Sequence, residues 1–363
     1  SFSPNRPFQL PNLPPNVNFR EPDLLDLVIE ARSQLAELKG YSFSLPNPLI
    51  LLSPAIVKES VASSEVENIH TTVIQALENQ IFSEEERREP DREVLKYRDA
   101  VLWGYSQLDK YHLSTRTIGG IQSRLLPDRP VGYRTQQNAI QNDQSRQILY
   151  MPPVQASIPG YMNNLENFIN KRPKGIDPLI SCAIAHYQFE AIHPFDDGNG
   201  RTGRILMVLQ LVQEKILTLP ILYISGYINK NKPEYYRRLL EVTTENGWIE
   251  FIKFMLKGFA IQAKSTKQLI IKIMNLFWEL KKEIKTKASS THSADLAESI
   301  FSQPIISPVK LSEILDCHYT TAQRYLDSLE EMGIMMSKKV GKYHLYMNKR
   351  LVEIIHKDSW SDG

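Results

Sequence analysis

Residues 193–204 read HPFDDGNGRTGR and separate two apolar segments, Pro178–Ile192 and Ile205–Glu214. Apolar residues recur with helical spacing in both segments, and the first is almost continuously apolar, which is typical of a helix at the centre of a domain. The twelve residues between them contain one histidine, two carboxylates, three glycines and two arginines. Core packing does not require so many polar and flexible residues, so this stretch predicts a ligand site between two buried helices.

The glycines and arginines of this stretch indicate a site for phosphate groups. Gly198 and Gly200 allow the backbone to approach a ligand closely, and the free N–H groups at the start of a helix bind anions. Arg201 and Arg204 are three positions apart, so they would share one helix face and could clamp phosphate oxygens. Without a bound anion, both arginines would lie at the unfavourable, positive end of the helix. We therefore expect a phosphorylated ligand.

Two more side chains of the stretch have chemistry that suits catalysis. Asp197 lies beside the expected anion site and could hold Mg²⁺ against phosphates, because this ion takes one or two carboxylates and keeps several waters. His193 titrates close to neutral pH and is the candidate general base. A histidine after a helix is usually a capping or core residue, and only its neighbours favour the catalytic interpretation. Phe195 is expected to pack into the core.

Most of the chain is predicted to be α-helical. Its 363 residues suggest two or three domains. Between Gly132 and Pro153, extended-favouring ends flank a polar turn at Asn142–Ser145, which predicts a β-hairpin. The predicted helices are Glu21–Leu38, Pro54–Ala62, Ser64–Leu77, Asp91–Leu108, Ser114–Leu126, Gly160–Asn170, Pro178–Ile192, Ile205–Glu214 and Phe251–Lys287.

Residues 294–350 have the pattern of a winged helix-turn-helix domain, with three short helices, a strand, a glycine turn and a second strand. Residues 291–363 contain eight Lys or Arg and ten Asp or Glu. DNA binding is therefore possible but not favoured over protein docking, because counterion release needs clustered basic residues. Local positive charge is confined to Lys338, Lys339, Lys342, Lys349 and Arg350.

Composition excludes several other classes of protein. The formal net charge of +2 argues against a surface built mainly for nucleic acid or anionic lipid. Cys182 and Cys317 have no metal-ligand spacing, so neither a disulfide framework nor a zinc cluster is expected. The N-terminus reads as a Pro-rich arm without signal-peptide character, and the most apolar long stretch, Ile205–Val212, is far shorter than the ~20 residues of a membrane span. We expect a soluble, cytoplasmic protein.

The stretch 193–204 resembles the HPFxDGNGRxxR signature of Fic-domain proteins without departure. The resemblance covers roughly residues 50–260, and it includes RTQQNAI (Arg134–Ile140), which is similar to the flap of that family. It implies a helical Fic core with a β-hairpin flap, and transfer of AMP from ATP to a hydroxyl side chain of a target protein. The target would dock on the flap at about residues 134–141, and a homodimer is the expected assembly.

The resemblance also implies a role for each site residue. His193 would take the proton from an incoming Ser, Thr or Tyr hydroxyl, and Asp197 would hold Mg²⁺. Asn199, with the backbone amides of Gly198 and Gly200, would steady the developing charge. The implied ATP-binding set is Glu67, His193, Gly198, Asn199, Gly200, Arg201, Thr202, Gly203, Arg204 and Tyr236. Tyr236 would lie against the adenine, and an ordinary core tyrosine is the alternative.

A second resemblance lies upstream in SSEVEN, residues 63–68. Ser63, Glu67 and Asn68 resemble the (S/T)xxxE(G/N) motif of the inhibitory helix of Fic proteins. The pattern alone is weak, because a solvated helix face also produces it, but its position before the core matches the class with an N-terminal inhibitory helix. Glu67 would pair with Arg204 and keep ATP in an unproductive pose. Alternatively, Glu67 could orient water to remove AMP from targets.

The predicted organisation has five parts. They are an N-terminal arm and helical region at 1–112 with the inhibitory helix at about 54–77, a Fic core at 113–260, a helical linker at 261–293, a winged-helix domain at 294–350 and a tail at 351–363. The favoured function is that of an autoinhibited adenylyltransferase. The alternative is a winged-helix DNA-binding regulator whose core only senses nucleotide, and the presence of His193 favours the enzyme.

Overall fold

The computed structural model describes residues 2–44, 46–142, 145–287 and 293–357, which are mainly helical. The chain divides into two compact units. The first unit contains Ser1–Ala36 and Lys96–Ala263, and the second contains Glu37–Leu95 and Lys264–Gly363. Each unit thus combines segments that are far apart in sequence. Among the described residues, no helix is both long and apolar enough to span a membrane.

The helices are α1 Pro22–Ser42, α2 Pro48–Leu51, α3 Ser53–Val66, α4 Val73–Asn79, α5 Glu89–Gln107, α6 Thr115–Leu125, α7 Ile158–Asn170, α8 Pro178–Ile192, α9 Asn199–Gln213, α10 Ile224–Lys230, α11 Lys232–Glu245, α12 Trp248–Lys287, α13 Ser293–Ser302, α14 Pro308–Leu315, α15 Tyr319–Glu331 and α16 Lys349–His356. The strands are β1 Ile140–Gln141, β2 Ile148–Tyr150, β3 Ile305–Ile306, β4 Met336–Val340 and β5 Tyr343–Met347. Short 3-10 turns occur at Glu84–Glu86 and Gln155–Ser157.

Helix α8 lies at the centre of the first unit, as its continuous apolar sequence predicted. The Asp177 carboxylate caps its start by accepting a hydrogen bond from the Leu179 N–H (2.8 Å), and Pro178 follows the cap. α8 packs against α7 and α9. Helices α8 and α9 approach closely at Gly203, where an added Cβ would lie 2.2 Å from Glu190 Oε1. Gly203 therefore serves helix packing.

The described part of the Pro-rich arm, residues 2–20, forms turns and bends and belongs to the first unit. Its Phe8 N–H donates to the Met151 carbonyl (3.0 Å), and its Leu13 N–H donates to the Asn164 side chain (2.9 Å). Leu10 and Leu13 are buried. The arm thus contributes to the core of this unit.

The β-hairpin predicted between residues 132 and 153 is present. β1 and β2 pair antiparallel, with Ile140 opposite Tyr150 and Gln141 opposite Ile148. The register shifts between the two pairs, which marks a local irregularity. Residues 143 and 144 of the predicted turn lie outside the described residues.

In the second unit, a C-terminal domain (residues 293–357) follows α12. Its three strands form an antiparallel sheet in the order β3–β5–β4, and α14 packs against α15. Gly341 forms the β4–β5 turn with a positive φ of 59°, a conformation that favours glycine. The prediction of a tail from residue 351 was wrong for its first part. Leu351, Val352 and Ile355 have helical spacing and are buried in α16.

The helix boundaries near the predicted inhibitory motif were also wrong. The sequence predicted helices at Pro54–Ala62 and Ser64–Leu77, whereas α3 continues through residue 66 and α4 starts at residue 73. Asn68 adopts a left-handed conformation (φ 60°), which ends the first helix. Thr72 starts the second with a capping box that includes Gln75. The predicted inhibitory segment therefore consists of two helices joined by residues 67–72.

Candidate active site

The residues of the HPFDDGNGRTGR stretch form a sharp connection between α8 and α9. His193 ends α8 in a left-handed conformation (φ 48°), and Gly198 precedes α9 in another (φ 79°). An added Cβ at Gly198 would lie 3.0 Å from Leu126 Cδ1, so both the backbone angle and the space favour glycine. The histidine and the start of α9 are thus placed at the two ends of one short loop.

Asn199 holds this loop together. Its side-chain Nδ2 donates to the Phe195 carbonyl (2.8 Å), and its Oδ1 accepts from the Phe195 N–H (2.9 Å). Phe195 is completely buried, as predicted, and Asn199 is 2% exposed. Because both polar atoms of the Asn199 side chain are used within the loop, this residue acts on loop shape, and the stabilisation of phosphate charge expected of it stays a prediction.

The first turns of α9 provide the chemistry of an anion site. Gly200 lies in the first turn, where backbone N–H groups have no intrahelical acceptor. Arg201 and Arg204 follow and are only 4% and 1% exposed. Thr202 is completely buried between them. Two buried guanidinium groups near a helix N-terminus concentrate positive charge where phosphate oxygens could bind.

Asp197 keeps a half-exposed carboxylate beside this turn. Its Oδ1 accepts from the Gly198 N–H (2.6 Å), and its Oδ2 lies 3.9 Å from Arg129 Nη2. Among the described residues, no group of three His, Cys, Asp or Glu side chains could hold a metal by itself. A single accessible carboxylate next to a phosphate site fits Mg²⁺, which is commonly shared between one protein carboxylate and substrate phosphates.

Arg134 is a site residue that the sequence placed on the target-docking surface. It is instead 2% exposed, and burial lowers the pKa of its guanidinium. Its Nε donates to the His193 carbonyl (3.0 Å), and its backbone N–H donates to the Pro194 carbonyl (2.8 Å). Its Nη1 donates to the Gln136 carbonyl (3.1 Å), and its Nη2 donates to the Pro153 carbonyl. Arg134 thus ties both ends of the hairpin segment to the catalytic-motif backbone.

A second contact joins the hairpin to the end of α8. The Tyr150 hydroxyl donates to the Ala191 carbonyl (2.8 Å), and burial raises the pKa of this phenol well above its usual value. Within the hairpin segment, the Gln137 side chain donates to the Pro152 carbonyl (2.9 Å). All these acceptors are backbone carbonyls, which leave no side-chain pattern, so sequence spacing could not reveal the connection.

Tyr235 and Tyr236 have different environments on α11. Tyr235 is 1% exposed, and its hydroxyl is hydrogen-bonded to His186 Nε2 (2.8 Å). Tyr236 is 45% exposed, so Tyr235 is the core tyrosine of the pair and Tyr236 is accessible. Burial, with the charge of Arg204, lowers the pKa of His186 to about 3. The sequence gives no signal for this neutral histidine, because α8 is apolar around it.

The predicted inhibitory residues lie in the second unit. Ser63 is buried in α3, Glu67 caps the C-terminal end of that helix, and Asn68 follows with its positive φ. The left-handed conformation explains why Gly or Asn suits the last position of the motif. A carboxylate at a helix C-terminus is unfavourable with respect to the helix dipole. Local helix stability therefore does not explain Glu67.

Family models match three parts of the chain. Residues 25–106 match the model of the Fic/DOC family N-terminal region, and residues 112–211 match the Fic/DOC family model. The chain carries Fic/DOC domains. Residues 276–351 match the model of the C-terminal domain of SoFic-like protein adenylyltransferases. The Fic/DOC match includes the whole stretch from His193 to Arg204 and the hairpin.

Curated relatives match part of the Fic/DOC chain. This chain is 27% identical over 210 residues to a probable protein adenylyltransferase of Aquifex aeolicus. The match covers 57% of this chain and 60% of the relative. The chain is 32% identical over 111 residues to the protein adenylyltransferase Fic of Aedes aegypti, which covers 29% of this chain and 20% of the relative. The matches therefore span 60% or less of these relatives.

Solved structures show the same fold. A Fic family protein from Desulfovibrio desulfuricans G20 has a TM-score of 0.58 at 20% identity, over 92% of this chain and 98% of that chain. A fragment of Fic-1 from C. elegans has a TM-score of 0.51 at 20% identity, over 69% of this chain and 74% of that chain. The fold of this Fic/DOC chain is thus shared well beyond the signature.

Proposed function

We propose that this Fic/DOC chain is a protein adenylyltransferase that transfers AMP from ATP to a Ser, Thr or Tyr hydroxyl of a target protein and of itself. The observation that carries the proposal is the loop that places His193 at one end and an anion-binding helix start with two buried arginines at the other. A base next to a phosphate site is what transfer to a hydroxyl requires. Relatives named as protein adenylyltransferases support the same activity.

The reaction needs a base, an oriented triphosphate and neutralised charge. His193 takes the proton of the target hydroxyl while its oxygen bonds to the α-phosphorus, and the bond from that phosphorus to the leaving diphosphate breaks. Arg201, Arg204 and the first N–H groups of α9 hold the other phosphates. Asn199 maintains the loop that orients these groups. Bound at Asp197, Mg²⁺ would neutralise charge on the phosphates.

The target protein docks on the hairpin segment at residues 135–141. The edge of this hairpin segment offers backbone N–H and C=O groups that can pair with an extended peptide of the target. Such pairing aligns the target hydroxyl with little dependence on the target sequence. Arg134 does not take part in docking, because its guanidinium is buried against carbonyls of the same chain. The accessible ring of Tyr236 is the candidate contact for the adenine.

Glu67 restrains this activity by pairing with Arg204. A guanidinium that is 1% exposed needs charge or hydrogen-bonding compensation, and a carboxylate in that place competes with the terminal phosphate of ATP. The position of Glu67 at the C-terminal end of α3, where a negative charge is locally unfavourable, supports a partner elsewhere. The enzyme is therefore autoinhibited.

Incubation with Mg-ATP, followed by intact-mass measurement, tests both parts of the proposal. Glu67→Gly should gain AMP faster than the wild-type protein, and His193→Ala should abolish the adduct in either background. No adduct in any form would reject the adenylyltransferase function. Equal labelling of Glu67→Gly and wild type would reject autoinhibition and leave the transferase function intact.

The winged-helix DNA regulator is not supported as a second function. In the second unit, Lys338 and Lys342 of the β4–β5 hairpin pair with Glu78 and Glu86 of the same chain. Helix α15 carries one arginine and three carboxylates, which does not favour a duplex.

A further inference from the structure

The segment that carries the predicted inhibitory motif rests on the C-terminal domain. This inhibitory segment consists of α3, residues 67–72 and α4, and it belongs to the same compact unit as residues 293–357. α3 contacts α13 and α16, and α4 contacts α16 and β3. Both helices that flank Glu67 are therefore positioned by the C-terminal domain.

Hydrogen bonds fasten the start of the segment to this domain. Lys58 of α3 is 6% exposed, and its Nζ donates to the Lys357 carbonyl just after α16 (3.2 Å). Just before α2, the Asn47 side chain donates to Glu298 of α13 (2.8 Å). The first contact uses a buried ammonium group, which is costly unless it is compensated.

The end of the segment is held by ion pairs with the β4–β5 hairpin. Lys338 Nζ lies 3.0 Å from Glu78 Oε1 in α4, and Lys342 Nζ lies 2.8 Å from Glu86 Oε1 in the following 3-10 turn. Hydrogen bonds from Lys342 and Tyr343 lower the pKa of Glu86 to about 2. The lysines that could have bound DNA thus bind an acidic stretch of the same chain.

Tyr343 adds an apolar and a polar contact to these ion pairs. Its ring centroid lies 4.8 Å from that of Phe82, and its hydroxyl donates to Glu86. Ser83 Oγ also donates to Glu86 (3.1 Å). Aromatic pairs at this distance stabilise a contact beyond the effect of the area they bury. The hairpin surface therefore recognises a Phe–Ser–acidic turn by shape and by charge.

We infer that the C-terminal domain is the docking surface that holds the inhibitory segment in place, with the β4–β5 hairpin as its releasable contact. This inference rests on the proposed autoinhibition by Glu67. Both lysines of these ion pairs are more than half exposed, so water and salt reach each pair and weaken it. When the hairpin releases Glu78 and Glu86, α4 loses part of its support, the turn at residues 67–72 is freed and inhibition falls.

The double variant Lys338→Glu, Lys342→Glu tests the inference in the full chain. Auto-AMPylation with α-labelled ATP should rise about fivefold over wild type, the ratio that ~1 kcal/mol of lost docking produces. Hydrogen exchange of peptides from residues 67–86 should increase in parallel. Adding Glu78→Lys and Glu86→Lys should restore both readouts, because the charges are then exchanged and the pairs re-form.

The matched control is Lys310→Glu, compared with the single variant Lys342→Glu. Lys310 lies in the same domain and pairs only with Glu313 of its own helix among the contacts described for it. The control should leave activity and exchange unchanged, which separates docking from a general effect of charge.

Combination with Glu67→Gly distinguishes failure of the inference from failure of the proposed function. In that background the double variant should cause no further rise, because inhibition is already removed. An equal fold-rise there, or unchanged exchange of residues 67–86 in the wild-type background, would overturn the inference. If Glu67→Gly itself does not activate, the proposed autoinhibition fails, and the regulatory role of the docking surface fails with it.

Discussion

Replacing Arg134 with alanine should separate positioning of the catalytic loop from nucleotide binding. The buried side chain donates to the carbonyls of His193, Gln136 and Pro153. Alanine leaves these three acceptors without their partner, at about 1 kcal/mol each when water enters the space and up to ~3 kcal/mol each when it does not. We expect a loss of about 3–4 kcal/mol in the free energy of unfolding.

The larger effect should be on the transfer step. His193 loses the contact that fixes its backbone to the hairpin, and a displacement of about 1 Å in a reacting group can lower a rate by roughly 100-fold. In the Glu67→Gly background, Arg134→Ala should lower the single-turnover rate of auto-AMPylation by about that factor. The Kd for ATP should change little, because the two arginines proposed to bind its phosphates lie on α9.

Urea unfolding, single-turnover labelling and equilibrium nucleotide binding measure these three quantities. Arg134→Lys should recover part of the rate, since an ammonium group can reach one or two of the carbonyls but cannot span all three. Arg237→Ala is the control, because Arg237 is half-exposed on α11 and pairs with glutamates of its own helix. A rate for Arg134→Ala within twofold of its parent, in folded protein, would refute the positioning role.

Three further predictions concern single side chains of the first unit. The pKa of His186 is about 3 when folded, against an ordinary value of 6.5. The unfolded chain therefore takes up the proton first, and this contribution to stability is complete above pH 6.5 and lost as the pH falls towards 3. A pKa difference contributes about 1.4 kcal/mol per pH unit, so between pH 8 and pH 5 the free energy of unfolding of the wild type should fall by ~2 kcal/mol more than that of His186→Gln. Urea unfolding at both pH values measures this difference. Equal losses in the two proteins would contradict the lowered pKa of His186. Asn199→Asp keeps the acceptor for the Phe195 N–H but loses the donor to the Phe195 carbonyl. The free energy of unfolding should therefore fall by about 1–3 kcal/mol, and AMP transfer should be slower. An unchanged denaturation midpoint would contradict the role of Asn199 in closing the loop. Asp197→Asn should raise the Mg²⁺ concentration that gives half-maximal auto-AMPylation by about tenfold. Thermal stability should not change, since the Asp197 carboxylate is half-exposed. An unchanged Mg²⁺ requirement would exclude Asp197 as the metal ligand.

Several features could be predicted from the sequence because their residues are neighbours in it. The residues of the proposed phosphate site, 193–204, are contiguous, so the order of histidine, glycines and arginines already predicts a role for each. The buried helix α8 follows from its continuous apolar residues, and the hairpin follows from extended-favouring ends around a polar turn. The break between α3 and α4 was predicted too early, at residue 63, because the left-handed Asn68 ends the first helix and apolar spacing does not reveal that position.

Other features depend on contacts between residues that are far apart in the chain. Arg134 could not be recognised as a positioning residue, because its partners are carbonyls and any residue supplies a carbonyl. The choice between Tyr235 and Tyr236 as the core tyrosine depended on which side of α11 faces His186. The ion pairs of Lys338 and Lys342 also depend on the fold, because their acidic partners precede them by more than 250 residues.

The sequence by itself therefore determined the residues of the proposed phosphate site and the helical class of the chain, since both arise from short-range order. The tertiary structure decided that the segment bearing Glu67 belongs with the C-terminal domain and that Arg134 faces inward. The physical reason is that burial and ion pairing are set by which surfaces meet after folding. Residue types and their spacing in the sequence do not specify which surfaces come into contact.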